Sequence, residues 1–325
     1  IQIRKVAVLG AGTMGSRIAE HMNNAGLPVV LLDMVPPGTA ADADKKTKNK
    51  FALAALDGLK KSKPAAFFTP GNARLITIGN FDDDLALLKD CDWIIEVVAE
   101  HLGVKRALLE KVEKHRRADA IVTSNTSGVP IHRIVEGMSE GLRRHWFGTH
   151  FFNPPRYMRL LEIVSTPESD ATLVESFAAF ADRMLGKQVV FANDTPNFIA
   201  NRIGVAVMFT AATLMLQQGL TIEEADALTG QAIGWPRTGT FRLADMVGID
   251  VLAHVAANFP QGAEPGGRRG PIGKVTEEGA VVHDAMDLPK RGQVTRRIYY
   301  LSLQAIFNAV VIGFIAKGML LLIYF

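Results

Sequence analysis

Residues 5 to 26 read KVAVLGAGTMGSRIAEHMNNAG. A short apolar run, Val6 to Leu9, meets Gly10, Gly12 and Gly15 in G-x-G-x-x-G spacing, and an amphipathic segment follows that stops at Gly26. Strand, glycine turn and helix in that order make the phosphate-binding corner of a doubly wound α/β sheet. Gly10 permits the tight turn, Gly12 leaves the backbone bare where a pyrophosphate must approach, and Gly15 lets the helix pack on the strand. The phosphates then rest on the free N–H groups of the first helical turn, where Thr13 and Met14 stand beside the glycines. The next apolar run, PVVLLD, ends in Asp33, eighteen residues past Gly15. A carboxylate there accepts hydrogen bonds from both ribose hydroxyls and repels a 2'-phosphate, so NAD is expected in preference to NADP.

Outward from this corner the same alternation continues. KVAVLG, PVVLLD, ARLITIG, DWIIEVV, AIVTSN, GTHFF, LLEIVST and QVVFAN are β-rich runs, most of them set apart by helix-length amphipathic segments. That pattern predicts an α/β class protein with a Rossmann-type, mostly parallel sheet covered by helices on both faces. From Asp194 the pattern changes: TPNFIANRIGVAVMFTAATLMLQQG predicts one long apolar helix, and TIEEADALTGQAIG a second with Thr221 as its N-cap. The expected division is therefore residues 1–194, the dinucleotide domain, and 195–325, a mainly helical domain for substrate and dimerisation.

With 325 residues, 48% of them hydrophobic and 21% charged, the chain falls in the ordinary globular class and can fill two cores. A net charge of +3 from scattered Lys and Arg gives no reason to expect nucleic acid. Cys91 is the only cysteine, which excludes an intrachain disulfide and a multi-cysteine zinc site. Its place just before a strand-like run predicts a buried thiol, and no metal is expected. Because the first residues run straight into a strand, no secretory leader is expected and the reading is cytoplasmic. A basic helical insertion is predicted near 40–65, where DADKKTKNKF and DGLKKSKP concentrate lysine. Two lysine-rich helices projecting there would suit a polyanionic handle such as the phosphates of coenzyme A, or would form a merely solvated hairpin. Residues 260–273 read as a Gly, Pro and Arg-rich loop. The C-terminal LSLQAIFNAVVIGFIAKGMLLLIYF has membrane-spanning length, but burial in a core or subunit interface is preferred, and no membrane is expected.

In an open α/β sheet, ligands lie at the carboxyl ends of the strands, so polar residues that end strands carry most weight. DWIIEVVAEHLGVK ends its strand near Val97 to Ala99, with Glu100 and Lys105 beyond; AIVTSNTSG ends in Ser124, Asn125, Thr126 and Ser127. THFFNPPRYMRLLEIV, residues 149–164, places His150 and Asn153 before Pro154 and Pro155, and Glu162 after them. Two neighbouring strands joined by that proline turn bring His150 beside Glu162. An imidazole with one nitrogen held by a carboxylate and the other facing a hydroxyl is a general base.

Taken in order, GAGTMG, VVAEHLGVK, SNTSG, THFFNPPRYMRLLEIV and DTPNFIANRIG resemble the L-3-hydroxyacyl-CoA dehydrogenases of fatty-acid β-oxidation, in particular the bacterial forms found within longer multifunctional chains. The resemblance covers about residues 3 to 260 and weakens beyond about Phe259. It implies an NAD-dependent oxidation of the 3-hydroxyl of an acyl-CoA, with His150 as base, Glu162 orienting it, and Ser127 and Asn201 holding the reacting oxygen. It implies NAD contacts from Gly10, Gly12, Thr13, Met14, Gly15, Asp33, Ala99, Glu100, Lys105, Asn125, Ser127 and Asn153. It also implies an active site at the domain interface, and a homodimer or a place within a larger β-oxidation protein. A dehydrogenase for a small hydroxy acid or an L-gulonate-type sugar acid, and an NAD-binding protein without catalysis, are the alternatives.

Overall fold

A computed structural model describes residues 1–235 and 237–248. The expected loop at 260–273 and the apolar stretch at 301–325 lie outside the described residues. Eight strands form one sheet: β1 (Val6–Leu9), β2 (Val29–Asp33), β3 (Ile76–Asn80), β4 (Trp93–Glu96), β5 (Ile121–Ser124), β6 (Trp146–Phe151), β7 (Leu160–Ser165) and β8 (Gln188–Ala192). Each overlaps a run read as a strand, although β3 ends one residue past ARLITIG and β6 begins two residues before GTHFF. Their order is β3-β2-β1-β4-β5-β6-β7-β8, and every neighbouring pair is parallel except β6 with β7. The order reverses between β1 and β4, where the crevice of such sheets opens at the carboxyl ends of the strands.

Helices α1 (Thr13–Asn24), α2 (Lys45–Lys48), α3 (Lys50–Lys61), α4 (Leu102–His115), α5 (Ile131–Ile134), α6 (Glu140–Arg144) and α7 (Ala171–Leu185) join these strands. Alternate strand residues serve opposite faces, because side chains change side at every residue. Val6, Val8, Val29, Leu31, Trp93 and Ile95 pack with α1, α3 and α7 in one core, while Ala7, Leu9, Val30, Leu32 and Ile94 pack with α4 and α5 in the other. Trp93 anchors the first: its ring meets Phe177 edge-on at 4.7 Å, and its indole N–H donates to Thr123 Oγ1 at 2.9 Å. A fully buried aromatic with its polar atom satisfied contributes about 2–3 kcal/mol from area alone.

The lysine-rich segment differs from the projecting pair of helices expected. Asn49 alone separates α2 from α3, and α3 buries Ala52, Leu56 and Leu59 in the first core, so it serves as the crossover helix behind β2 and β3. Its lysines stay on the solvent side because the apolar positions recur at helical spacing.

The chain divides into two compact units, Ile1–Phe198 and a second that begins at Ile199. The second unit starts with α8 (Ala200–Gln218), later than the helix expected from Thr195: Asn197 and Phe198 have positive φ and hold the chain out of the right-handed helical region. Thr221 caps α9 (Ile222–Leu228) as expected, in a capping box with Glu224. Asp226 accepts the main-chain N–H groups of Phe241 and Arg242 at 2.6 and 3.1 Å, tying α9 to the start of α10 (Gly239–Val247). No helix among the described residues is long and apolar enough to cross a membrane.

Candidate active site

The three glycines of the first turn serve three different needs. A Cβ on Gly10, whose φ is +111°, would lie 2.5 Å from the Val97 carbonyl oxygen, and one on Gly15 would lie 1.8 Å from the carbonyl oxygen of Gly10. Both bare positions are demanded by the chain itself. A Cβ on Gly12 would meet nothing within 4 Å. Among the described residues no protein atom therefore explains Gly12, whereas a bound pyrophosphate would. The start of α1 is open to an anion as well: no side chain caps it and no acid stands in its first turn. Its unused N–H groups and the positive end of the helix dipole suit a phosphate. Gly12 and Thr13 are exposed and Met14 half-buried. Asp33 ends β2 beside this turn, where its Oδ2 accepts from Ala11 N at 2.6 Å and its Oδ1 from Met34 N at 2.6 Å. Its carboxylate is thus held in one orientation, half-exposed. These residues fit an NAD whose pyrophosphate lies on α1 and whose adenosine ribose lies on Asp33.

Across the sheet, β6 and β7 bring His150 directly opposite Glu162 in register. Both are buried, and His150 Nδ1 lies 2.7 Å from Glu162 Oε2. An ionised carboxylate only accepts, so Nδ1 is the donor there, and in the neutral ring Nε2 then presents a lone pair. That lone pair takes the hydroxyl of Ser127, whose Oγ is 3.0 Å away. Phe152 and Phe198 wall the imidazole, with ring centroids at 4.6 and 5.5 Å. The result is an imidazole fixed through Nδ1, with Nε2 facing a hydroxyl, at the carboxyl end of β6.

Ser127 is itself held from β4. Glu100 Oε1 accepts from Thr126 Oγ1 at 2.5 Å and from the main-chain N–H groups of Ser127 and Gly128 at 2.8 Å each. Its Oε2 lies 3.2 Å from Lys105 Nζ. Burial raises the Glu100 carboxyl, but the Lys105 charge and the donors from Thr126, Gly128 and Ser127 outweigh it, and the group sits below its ordinary value. Lys105 is 1% exposed and bonds a residue not singled out from sequence, Glu96, at 2.9 and 3.2 Å. Glu96 is fully buried at the end of β4 and also accepts from Ser124 Oγ at 2.5 Å. The strand stops at Glu96 rather than near Val97 to Ala99, because Val98 N turns back to the Glu96 carboxylate at 2.7 Å. A lone acid in the apolar run WIIEVV, nine residues before a lysine, was the available signal.

The remaining predicted residues fall differently. Asn125 spends its Oδ1 on Phe151 N at 2.9 Å, bridging β5 to β6. Ala99 and Asn153 are exposed, each a few residues past the end of its strand. Asn201 lies in the first turn of α8, in the second unit. Cys91 is buried as expected, and burial pushes its thiol up to about 12, which leaves it unreactive.

The family described as 3-hydroxyacyl-CoA dehydrogenase, NAD binding domain, matches residues 5–195, and the C-terminal domain of the same family matches residues 198–279. The match thus extends past Phe259, where the family pattern was expected to weaken. A probable 3-hydroxyacyl-CoA dehydrogenase of Deinococcus radiodurans is 48% identical over 259 residues, covering 80% of this chain and 73% of that protein. One of the same description from Bacillus subtilis is 46% identical over 264 residues, covering 79% of this chain but only 34% of its own length. The crystal structure of FadB2 from M. tuberculosis superposes with a TM-score of 0.67 at 30% identity, over 79% of this chain and 87% of that one.

Proposed function

The chain belongs to the 3-hydroxyacyl-CoA dehydrogenase family, and from that premise we propose that it oxidises the 3-hydroxyl of L-3-hydroxyacyl-CoA, with NAD as cofactor and His150 as general base. The observation that carries the residue assignment is the pairing of His150, with Nδ1 2.7 Å from Glu162 Oε2 and Nε2 3.0 Å from Ser127 Oγ. Glu162 holds the Nδ1 proton, so the lone pair of Nε2 is free to take a proton at the point where Ser127 now donates. A substrate hydroxyl entering there replaces the Ser127 hydroxyl on Nε2, and Ser127 moves to donate to the same oxygen.

As the 3-hydroxyl gives up its proton to Nε2, the imidazolium that forms is stabilised by the Glu162 carboxylate, a charge-assisted pair of buried groups. NAD, when bound, supplies the hydride acceptor. Glu100 keeps the Ser127 loop in place through three donors, so the oxygen is met by a pre-set hydroxyl. The exposed lysines of α2 and α3 form a basic surface that suits the phosphates of a coenzyme A handle. The chain spans about a third of the length of the Bacillus relative, which supports a place within a longer protein.

The test compares NAD reduction with 3-hydroxybutyryl-CoA, free 3-hydroxybutyrate and L-gulonate as substrates. A strong preference for the thioester is expected; equal use of the free acids would overturn the CoA assignment while leaving His150 as base.

A further inference from the structure

Lys187 is a buried charge that this reaction does not use. It immediately precedes β8 and is 2% exposed. Its ammonium donates to the main-chain carbonyls of Pro155 and Met158, the latter at 2.9 Å, and lies 5.6 Å from the centre of the Phe151 ring. The next main-chain N–H, that of Gln188, donates to Arg159 O at 2.8 Å. The start of β8 therefore grips three carbonyls at the closed end of the β6–β7 hairpin, the hairpin that sets His150 opposite Glu162.

We propose that Lys187 is a positioning residue: a charged pin through the end of this hairpin that holds the segment from Phe152 to Arg159 and so fixes His150 against Glu162. This rests on the reading of His150 as the base. The charge itself is the informative feature. Burying an ammonium against carbonyl dipoles and a ring face, without a carboxylate, costs more than burying an apolar chain of the same length. A site that needed only filling would be served better by Met or Leu. What an ammonium adds is several strong donors from one point, enough to bind carbonyls that face each other across a turn.

Among the described residues no carboxylate pairs with the charge. His21 of α1 faces it and is neutral, pulled down to about 3 by burial first and the Lys187 charge second. In the turn stands Arg156, also cationic, whose guanidinium lies 3.9 Å from Glu20 of α1 and stacks over Phe68 and Tyr157. Burial pulls Lys187 itself down to about 8, within reach of mildly alkaline solution. The sign of the stability effect is opposite to that of the pin. Between about 8 and the ordinary value of 10.5 the unfolded chain binds more protons than the folded one at this site, so its contribution to stability rises with pH while the pin weakens. Loss of activity in that window is thus separable from loss of fold.

The experiment compares the wild type with Lys187→Arg and Lys187→Met across pH 6.5 to 9.5, measuring kcat at saturating NAD and 3-hydroxybutyryl-CoA, the NAD Kd, and amide hydrogen exchange of the peptide covering residues 152–160. In the wild type, kcat and the protection of that peptide should both fall above pH about 8, with no fall in Tm. Lys187→Arg keeps its charge and should lose the alkaline fall. Lys187→Met should lower kcat about tenfold at neutral pH, the scale of a small misplacement of a catalytic group, with the NAD Kd unchanged and no inflection near 8. A Lys187→Met enzyme with the wild-type kcat and pH profile, or a 152–160 peptide whose protection is indifferent to pH in the wild type, would overturn the pin. A wild type that turns over no thioester would instead overturn the proposed reaction, and the exchange measurement, which needs neither turnover nor a variant, would still decide the pin.

Discussion

Replacing His150 by Gln tests the base assignment most directly. The glutamine amide can still donate to Glu162 Oε2, so the buried carboxylate keeps a partner at that position. What is lost is the basic Nε2 and the two ring contacts with Phe152 and Phe198. The ring contacts are worth about 1–2 kcal/mol together, well within the roughly 5–15 kcal/mol by which such domains are stable, so the variant should fold. Removing a general base costs about 10²- to 10⁴-fold, or about 2.7–5.4 kcal/mol in the activation barrier. NAD binding should be nearly unchanged, because His150 touches neither the glycine turn nor Asp33. Glu162→Gln exchanges a charge-assisted bond for a neutral one and should cost about 1–2 kcal/mol of that barrier. If the two residues act as one unit, the double variant should be no slower than His150→Gln alone. The assay is steady-state NADH formation from 3-hydroxybutyryl-CoA, with NAD affinity followed by intrinsic fluorescence. A His150→Gln enzyme within tenfold of the wild-type kcat, or losses that add in the double variant, would refute the reasoning.

Gly12→Ala should fold normally, since its Cβ meets no protein atom, yet weaken NAD binding by at least about tenfold through intrusion on the pyrophosphate; Gly15→Ala, with its Cβ 1.8 Å from the Gly10 carbonyl oxygen, should instead lower Tm or abolish soluble expression. Glu96→Ala strands the buried Lys105 with Glu100 as its sole acid and should cost about 3–5 kcal/mol in urea unfolding, most of it recovered when Lys105→Met is added. Glu100, held below its ordinary value of 4.5, stabilises the fold at neutral pH, and that contribution is lost as pH falls through its folded value; Glu100→Gln should flatten the stability profile below about pH 5.

The sheet was legible because every strand announced itself locally. Val6–Leu9, Val29–Asp33 and Trp93–Glu96 are short, apolar and bounded by turn residues, and a buried parallel strand has no other way to be written. His150 and Glu162 were legible for a related reason: the Pro154–Pro155 break fixes where the hairpin turns, and twelve residues leave little choice of which side chains face each other. The start of α8 was not legible, because Phe198 adopts a positive φ that its residue type does not advertise, and the one local hint, Asn197 at positive φ before it, sits inside an apolar run that reads as helix. The role of α3 was missed for a different reason. Its lysines dominate the composition, while the three buried residues that decide its packing, Ala52, Leu56 and Leu59, are a minority of the segment.

Glu96 shows what single-residue weighting cannot reach. The resemblance assigns both Glu100 and Lys105 to the cofactor, yet the structure makes them unequal. The Lys105 ammonium is bonded to Glu96 at 2.9 and 3.2 Å, to Val98 O at 3.3 Å and to Glu100 at 3.2 Å, with 1% of its surface exposed. An ammonium has three donors, so any group reaching it must displace a partner already there. Glu96 is the partner that cannot leave, being fully buried with Ser124 and Val98 N also bound to it. Glu100 is the one that can, since its side chain is 27% exposed and its hold on Thr126, Ser127 and Gly128 runs through the other oxygen. Glu96 and Lys105 therefore belong to the frame. Glu100 is the member of the trio able to answer a ligand, and because its other oxygen carries the Ser127 loop, any shift it makes is passed on to the hydroxyl that faces His150.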